Sequence, residues 1–242
     1  MPQGPFTPEA LRFLRGLSQK KNNTREWFEP RKPVYERELK APMLALIDQI
    51  NHALLDFAPD HVRLPQKTML RIYRDIRFAA DKRPYKSHIS AWWARSGMAK
   101  TSGAGFYFHL GATEIIIAAG VFMPDRDQLL AIRRHLLQHH AELRRLLADR
   151  RLKALFGPLE GRPLSRPPKG FSDLSDPNVA AALDLLRCRE WGISATLPVE
   201  AALEPTLPKQ IIDRFRHAAP LVNLLNAPLT AAARQRPPRP LF

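Results

Sequence analysis

The first quarter of the chain carries apolar side chains at helical spacing. Residues 6–17 predict a first helix, in which Thr7 is suited to the cap and Pro8 to the first turn. A second helical region is predicted over 33–57. Pro42 is expected to divide or kink it, because proline has no backbone N–H for the helical hydrogen bond. The chain is therefore expected to open with helices.

From residue 69 the pattern changes to the period of two that is typical of β-strands. A first strand is predicted over 69–78. One face of this strand would carry an apolar set interrupted by the cation Arg74, namely Leu70, Ile72, Ile76 and Phe78. Further strands are predicted over 88–93, 106–110 and 114–122, the last two as a hairpin around Gly111.

Helical spacing returns after residue 124. Residues 125–150 predict a long helix, with Asp125 and Gln128 at the spacing of a capping box. A proline-rich connection follows, and two more helices are expected to start near Pro177 and Pro208, with Pro220 kinking the last.

Helices on both sides of a run of strands indicate the α+β class. We expect a central, mostly antiparallel sheet of about four or more strands, flanked by N-terminal and C-terminal helices. A single domain is expected over 1–228, and a disordered tail rich in proline and arginine over 229–242.

Composition bears on whether the chain folds and where it is located, and it says little about activity. Hydrophobic residues make up 45% of the 242 residues, which argues against wholesale disorder. No apolar run is long enough for a transmembrane helix, and the first residues lack the pattern of a signal peptide. The single cysteine, Cys188, cannot form an internal disulfide. We therefore expect a cytoplasmic protein that does not insert in membranes.

The net charge of +15 points to an anionic partner. Its distribution is uneven: residues 67–100 hold nine basic and two acidic side chains, a net +7, and residues 126–169 hold eleven and four, also +7. The C-terminal stretch 214–242 adds five arginines and no carboxylate. Each of these segments needs its own explanation.

The densest polar cluster lies within the first of these segments. Arginine forks bind phosphate or carboxylate in a bidentate manner, and lysine adds a compact charge. We therefore predict a pocket for an anionic, phosphate- or carboxylate-bearing small molecule, built by Arg71, Arg74, Asp75, Arg77, Asp81, Lys82, Tyr85 and Lys86. An equally weighted alternative is structural. In it Arg71, Asp75 and Arg77 form salt bridges on a solvated face and Arg74 is a buried, paired cation.

The same stretch resembles a known family. Residues 71–86 are similar to the signature R-x-x-R-D-x-R-F, two variable residues, D-K-x-P-Y-K of the domain of unknown function 2461 family. Three further segments resemble that family, 22-NNTREWF-28, 120-GVFMP-124 and 162-RPLSRPPKGF-171, whereas Ala79, Ala80 and Ala119 depart from its pattern. The resemblance implies one compact α+β domain and adds Asn22, Asn23, Arg25 and Trp27 to the candidate site. It specifies no activity.

Two other functions compete with small-anion binding. A nucleic-acid-binding module would use the basic helix face from Arg133 to Arg151 and the tail. A phosphoester-processing enzyme would use Asp75 or Asp81 as an acid–base group or metal ligand, and His88 could form an acid–base pair with Asp81 or Tyr85. For His88 we favour a solvated position at the start of a strand.

No metal or cofactor is indicated by a motif. His135 and His139 have the spacing of two metal ligands on a helix, with His140 beside them, but the H-E-x-x-H pattern is absent. We expect no metal site, and the sequence identifies no cofactor.

Overall fold

A computed structural model of the chain describes residues 4–77, 79–98 and 103–235, with residues 231–235 described by backbone alone. Five strands form one antiparallel sheet in which spatial order follows chain order. The strands are β1 (Met69–Leu70), β2 (Ile89–Ala94), β3 (Gly105–Leu110), β4 (Glu114–Val121) and β5 (Trp191–Pro198). The predicted α+β class, with a mostly antiparallel sheet flanked by N-terminal and C-terminal helices, is confirmed.

The N-terminal helices include the two predicted regions and two short helices that were not predicted. Their bounds are α1 (Pro8–Ser18), α2 (Arg25–Phe28), α3 (Lys32–Val34), α4 (Ala41–Phe57) and α5 (Pro65–Thr68). The two that were not predicted are α2 and α5. Thr7 caps α1, its hydroxyl oxygen accepting a hydrogen bond from the Ala10 N–H at 3.2 Å. The capping prediction is therefore confirmed.

A π-helical turn, Tyr35–Lys40, precedes α4, and Pro42 lies in the first turn of that helix. In this turn the Ala41 N–H donates to the Glu36 carbonyl, five residues earlier. The buried side chains of Tyr35, Leu39 and Met43 are spaced by four residues. Residues four apart lie on one face of a helix, so these three side chains form the buried face of this region.

The predicted strand over 69–78 is wrong beyond its second residue. Only Met69 and Leu70 pair with β2, and an isolated bridge joins Tyr73 to Tyr85 farther along. The physical reason is a change of partner. The chain leaves β2 and pairs instead with residues 84–86, which follow the turn. Phe78 lies outside the described residues.

Two features of the C-terminal half also differ from prediction: an additional strand and the end of the last helix. Strand β5 was not expected, and its first three residues, Trp191 to Ile193, are all buried. The last helix, α9 (Leu207–Gln235), runs past residue 228, where the tail was expected to start. Leu229 is buried, and Thr230 donates to the Asn226 carbonyl within the helix. The tail prediction for 236–242 falls outside the described residues.

Two of the remaining helices match predicted positions, α6 (Arg126–Ala148) and α8 (Pro177–Leu186), whereas the short helix α7 (Arg150–Leu155) was not predicted. Asp125 and Gln128 form the predicted reciprocal capping box at the start of α6. Within the described residues, no helix is both long and apolar enough to span a membrane.

The chain divides into two compact units. Unit 1 comprises Met1–Ser96, Tyr107–Ile117 and Ala195–Arg216, and unit 2 comprises Gly97–Phe106, Ala118–Ser194 and His217–Phe242. The core of unit 1 includes Trp93 packed edge-to-face on Phe215. In unit 2, α8 packs on α6: Val179, Ala182 and Leu186 of α8 form a buried cluster with Phe171, and Leu137 of α6 packs against it. The expectation of one domain stays a prediction.

Candidate anion-binding site

The signature segment of unit 1 folds back on itself as two short paired stretches. The Arg74 N–H donates to the Pro84 carbonyl at 2.9 Å, and the Lys86 N–H donates to the Ile72 carbonyl at 2.8 Å. Between them, Tyr85 is 2% exposed, and its ring stacks on that of Phe28 with centroids 4.1 Å apart. Burial of this ring fixes the base of the loop 75–83 and leaves the loop itself at the surface.

Asn23 ties this base to the N-terminal helices. Its amide nitrogen donates to the Leu17 carbonyl at 3.2 Å and to the Tyr85 carbonyl at 3.1 Å. Its amide oxygen accepts from the Tyr85 N–H at 3.0 Å. The side chain is 3% exposed, so these bonds are made out of contact with water.

A cavity of about 350 Å³ opens beside this base, and we call it the inner cavity. Three cationic side chains and one carboxylate line it: Arg74, Arg83, Lys86 and Asp75. Its wall is completed by Asn23, Tyr85, Ser87 and His88. The lining therefore carries a net charge of +2 (three cations against one carboxylate) when His88 is neutral.

A second cavity of about 720 Å³, the outer cavity, adjoins the first at Asn23 and Arg83, which line both cavities. It is also lined by Asp81 and Lys82 from the loop. The N-terminal helices and the loop contribute the rest of its wall, namely Lys20, Thr24, Arg25, Ala80 and Pro84.

Asp81 holds two of the cations together. Its Oδ2 atom accepts a hydrogen bond from Arg74 Nη1 and another, at 2.6 Å, from Arg83 Nη2. Arg83 also donates from Nε and from its backbone N–H, the latter at 3.1 Å to Oδ1. These bonds, from Arg83 first and Arg74 second, hold the pKa of Asp81 far below its usual range. We call this arrangement the Asp81 clasp.

Asp75 forms a separate local pair. Arg77 Nε and Nη2 donate to its two oxygens at 3.0 and 2.8 Å, and the hydrogen bonds from Arg77 lower the pKa of Asp75 to about 2. The Arg77 side chain is 77% exposed, so this pair is solvated. Arg71 is also exposed and lies within electrostatic reach of Asp75.

The eight predicted site residues are thus divided. Four line the inner cavity, namely Arg74, Asp75, Tyr85 and Lys86. Asp81 and Lys82 line the outer cavity, whereas Arg71 and Arg77 line neither. Lys86 fits the pocket interpretation and Arg77 the salt-bridge interpretation, whereas Arg74 and Asp75 fit both, because each lines the inner cavity and is also ion-paired.

The residues added by the resemblance also separate. Asn23 and Arg25 line cavities, while Asn22 makes local hydrogen bonds at the end of α1. Trp27 packs with its ring 5.4 Å from that of Phe13, which is a structural role.

Sequence reasoning missed Arg83 as a site residue. This arginine occupies the variable position of D-K-x-P-Y-K, so the signature gave no reason to select it. The signal that could have found it is its place two residues after Asp81, because an arginine there can fold back on a turn carboxylate.

His88 differs from its predicted solvated position. Its ring stacks on that of His109 with centroids 3.9 Å apart and planes 18° apart. Burial, followed by the positive charges of His109, Lys86 and Arg74, lowers the pKa of His88 to about 3. Burial lowers the pKa of His109 to about 4, and the Tyr107 hydroxyl lies 3.3 Å from its Nδ1 atom. Both rings are therefore neutral at physiological pH.

We expect the folded protein to lose stability as the pH falls from 7 to 5. Histidine in the unfolded chain has a pKa of about 6.5, so it binds a proton in this pH range. His88 and His109 in the folded protein stay neutral there, because their pKa values are lower. The free energy of unfolding should fall by up to about 1.4 kcal/mol per pH unit for each histidine. Urea denaturation at several pH values measures this slope.

The double variant His88→Gln/His109→Gln should reduce that slope, and the remainder comes from groups such as His61 and His135, whose pKa burial also lowers. The matched control is His52→Gln, whose side chain is 74% exposed and which should keep the slope of the wild type. Equal slopes in the double variant and the wild type would contradict the assignment of neutral rings.

The basic face of α6 in unit 2 differs from prediction at Arg133. This residue is 7% exposed, and its Nη2 donates to the Cys188 carbonyl at 2.9 Å. Arg144 pairs with Asp184, to which it donates at 2.6 and 3.2 Å. Of these arginines only Arg133 is buried, whereas Arg134, Arg144 and Arg145 are exposed as expected of a solvent face.

The histidines of α6 form a stack. The rings of His135 and His139 lie 4.1 Å apart, and His139 Nδ1 is 3.8 Å from a carboxylate oxygen of Glu142. Over the described ranges, no group of three or more histidine, cysteine or carboxylate side chains is placed to hold a metal ion.

Comparison with known proteins gives one match. No curated protein and no solved structure matches this chain significantly. The family described as "Conserved hypothetical protein (DUF2461)" matches residues 9–224, which include both cavities and most of both units. The chain therefore belongs to the DUF2461 family, as the signature at 71–86 led us to expect.

Proposed function

We propose that the protein binds a small phosphate- or carboxylate-bearing ligand in the inner cavity. The observation that carries the proposal is the meeting of Arg74, Arg83 and Lys86 on one cavity wall, with a single carboxylate, Asp75, beside them. Two guanidinium groups and an ammonium group supply the charge-assisted donors that such anions need.

The chemistry of the individual donors supports an anion of modest size. Arginine offers a planar fork to two oxygens, and lysine offers a compact charge that adapts to the third. Neutral His88 adds one ring N–H without adding charge. A cavity of about 350 Å³ accommodates a compact metabolite and excludes a folded macromolecule.

The test uses inorganic phosphate and acetate as probes in isothermal titration calorimetry. We expect at least one of them to bind the wild type, and Arg74→Gln to weaken that binding by about tenfold or more, because a charge-assisted bond is lost. Arg74→Lys should recover part of the affinity, since it restores the charge without the fork.

Lys86→Gln is a second variant, needed because Arg74→Gln also removes a partner of Asp81. Arg12→Gln is the matched control, since Arg12 is an exposed cation that lines neither cavity. If neither probe binds, or if Lys86→Gln and Arg12→Gln have equal effects, the proposal is wrong.

The phosphoester-processing and nucleic-acid-binding alternatives have less support from these contacts. Asp75 and Asp81 are both ion-paired with lowered pKa, so neither is suited to accept a proton near neutral pH. A nucleic-acid interface on α6 would lack Arg133, which is buried. We place the small-anion function in the cytoplasm, because the single cysteine is a buried free thiol.

A further inference from the structure

The outer cavity carries more positive charge than the inner one. Four cations line it, Lys20, Arg25, Lys82 and Arg83, and one carboxylate, Asp81, which gives a net charge of +3. That carboxylate is already engaged in the Asp81 clasp. A cavity of this charge in a folded protein calls for a compensating anion.

Three of these cations are exposed and make no ion pair in the described part of the chain, although the charge of Arg25 helps to lower the pKa of the neighbouring Glu26. Lys82 Nζ donates to the Ile76 carbonyl at 3.0 Å, an uncharged partner. Among the residues that the structure describes, no carboxylate lies within ion-pair distance of Lys20, Arg25 or Lys82. Arg74 and Arg77, by contrast, each hold one. Most of the positive charge of the outer cavity is therefore not ion-paired within the described residues.

Arg83 connects the two cavities. It lines both, and the clasp occupies its Nε and one of its terminal nitrogens, Nη2. A guanidinium group carries five N–H donors, so the hydrogens on Nη1 are still available to a ligand. Arg83 can therefore donate to a ligand at the junction of the two cavities while it stays bound to Asp81.

We propose that the ligand carries two linked anionic groups, one in the inner cavity and one in the outer cavity, with Arg83 between them. This inference rests on the proposed function, because the first group occupies the inner cavity. A diphosphate or a compact bisphosphate has this chemistry. A ligand with one anionic group in the inner cavity would make no use of the cations of the outer cavity.

Local structure supports this placement. Asn23, bonded to Leu17 and Tyr85, forms the wall shared by both cavities and is fixed by three hydrogen bonds. Arg25 begins α2 directly after Thr24, whose hydroxyl accepts from the Trp27 N–H at 3.3 Å. The backbone on which the outer cations stand is therefore ordered before a ligand arrives.

The experiment compares inorganic phosphate with inorganic diphosphate by calorimetry at constant ionic strength. In the wild type we expect diphosphate to bind about tenfold or more tightly than phosphate, since additional charge-assisted bonds form. In Arg25→Gln/Lys82→Gln the ratio of the two dissociation constants should fall to about two or less.

The matched control is Arg12→Gln/Lys209→Gln, which removes the same net charge from two exposed positions of unit 1 outside both cavities. It should keep the ratio of the wild type. An equal fall in the control would attribute the preference to overall charge and overturn the inference.

Other outcomes separate this inference from the proposed function. If phosphate binds and diphosphate binds no more tightly, the inner cavity remains an anion site and the two-group ligand is wrong. If a short single-stranded oligonucleotide binds more tightly than diphosphate and displaces it, the ligand is a polymer, and the inference is also wrong. If neither phosphate nor diphosphate binds, the proposed function itself fails.

Discussion

Replacing Gly120 with alanine should lower the free energy of unfolding by about 4 kcal/mol or more, one of the two largest effects we expect. Gly120 has φ of +128°, a backbone conformation that residues with a Cβ atom rarely adopt. An added Cβ would also lie 2.1 Å from the Trp191 carbonyl oxygen and 2.7 Å from the Gly192 Cα. Both contacts are with backbone, so no side-chain rotation can relieve them. Urea denaturation of Gly120→Ala measures the loss.

Gly170→Ala separates the cost of the positive φ from the cost of the backbone clash. Gly170 has φ of +86°, and nothing lies within 4 Å of the position where its Cβ would be. This variant should therefore lose only the conformational part, about 1–2 kcal/mol. If Gly120→Ala is no less stable than Gly170→Ala, then the close approach of β4 and β5 at Trp191 does not cause the expected loss of stability.

Asn23→Ala should destabilise the protein by about 3 kcal/mol, because three buried backbone groups lose their partner together. Those groups are the Leu17 carbonyl and the carbonyl and N–H of Tyr85. The same variant should weaken phosphate binding, since Asn23 lines the inner cavity and fixes the base of the loop. Denaturation and calorimetry on one preparation measure both effects.

The neighbouring asparagine provides the control. Asn22 donates to the Gly16 carbonyl at 3.0 Å from a partly exposed position, where water can replace it. Asn22→Ala should therefore cost about 1 kcal/mol or less and leave phosphate binding unchanged. Equal losses in the two variants would show that Asn23 is not the link between α1 and Tyr85.

Local rules predicted the parts of the fold that depend on neighbours in sequence. The cap at Thr7, the capping box at Asp125 and the turn at Gly111 each need only a few adjacent residues, and all are present. The strand predicted over 69–78 failed because alternation describes side-chain faces and not the identity of the partner. Tyr73 alternates as in a strand, yet it pairs with Tyr85 and not with β2.

The sequence predicted where the candidate site lies along the chain, but not which distant residues meet there. Its densest stretch was evident from charge and from the family signature, and six of the eight predicted residues line one of the two cavities. His109 could not be associated with His88, because His88 directly precedes β2 and His109 lies in β3, with 20 residues between them. Burial at Arg133 was equally invisible, since an arginine on an amphipathic helix normally faces solvent.

The Asp81 clasp has a consequence for binding that a count of charges does not show. Immobilising a long side chain on association costs about 0.5–1.5 kcal/mol in lost rotamer entropy. Arg74 and Arg83 are already held by Asp81, so this loss occurs when the protein folds and not when a ligand arrives. A residue that carries the ligand's own sign of charge thereby favours its binding, through entropy rather than attraction.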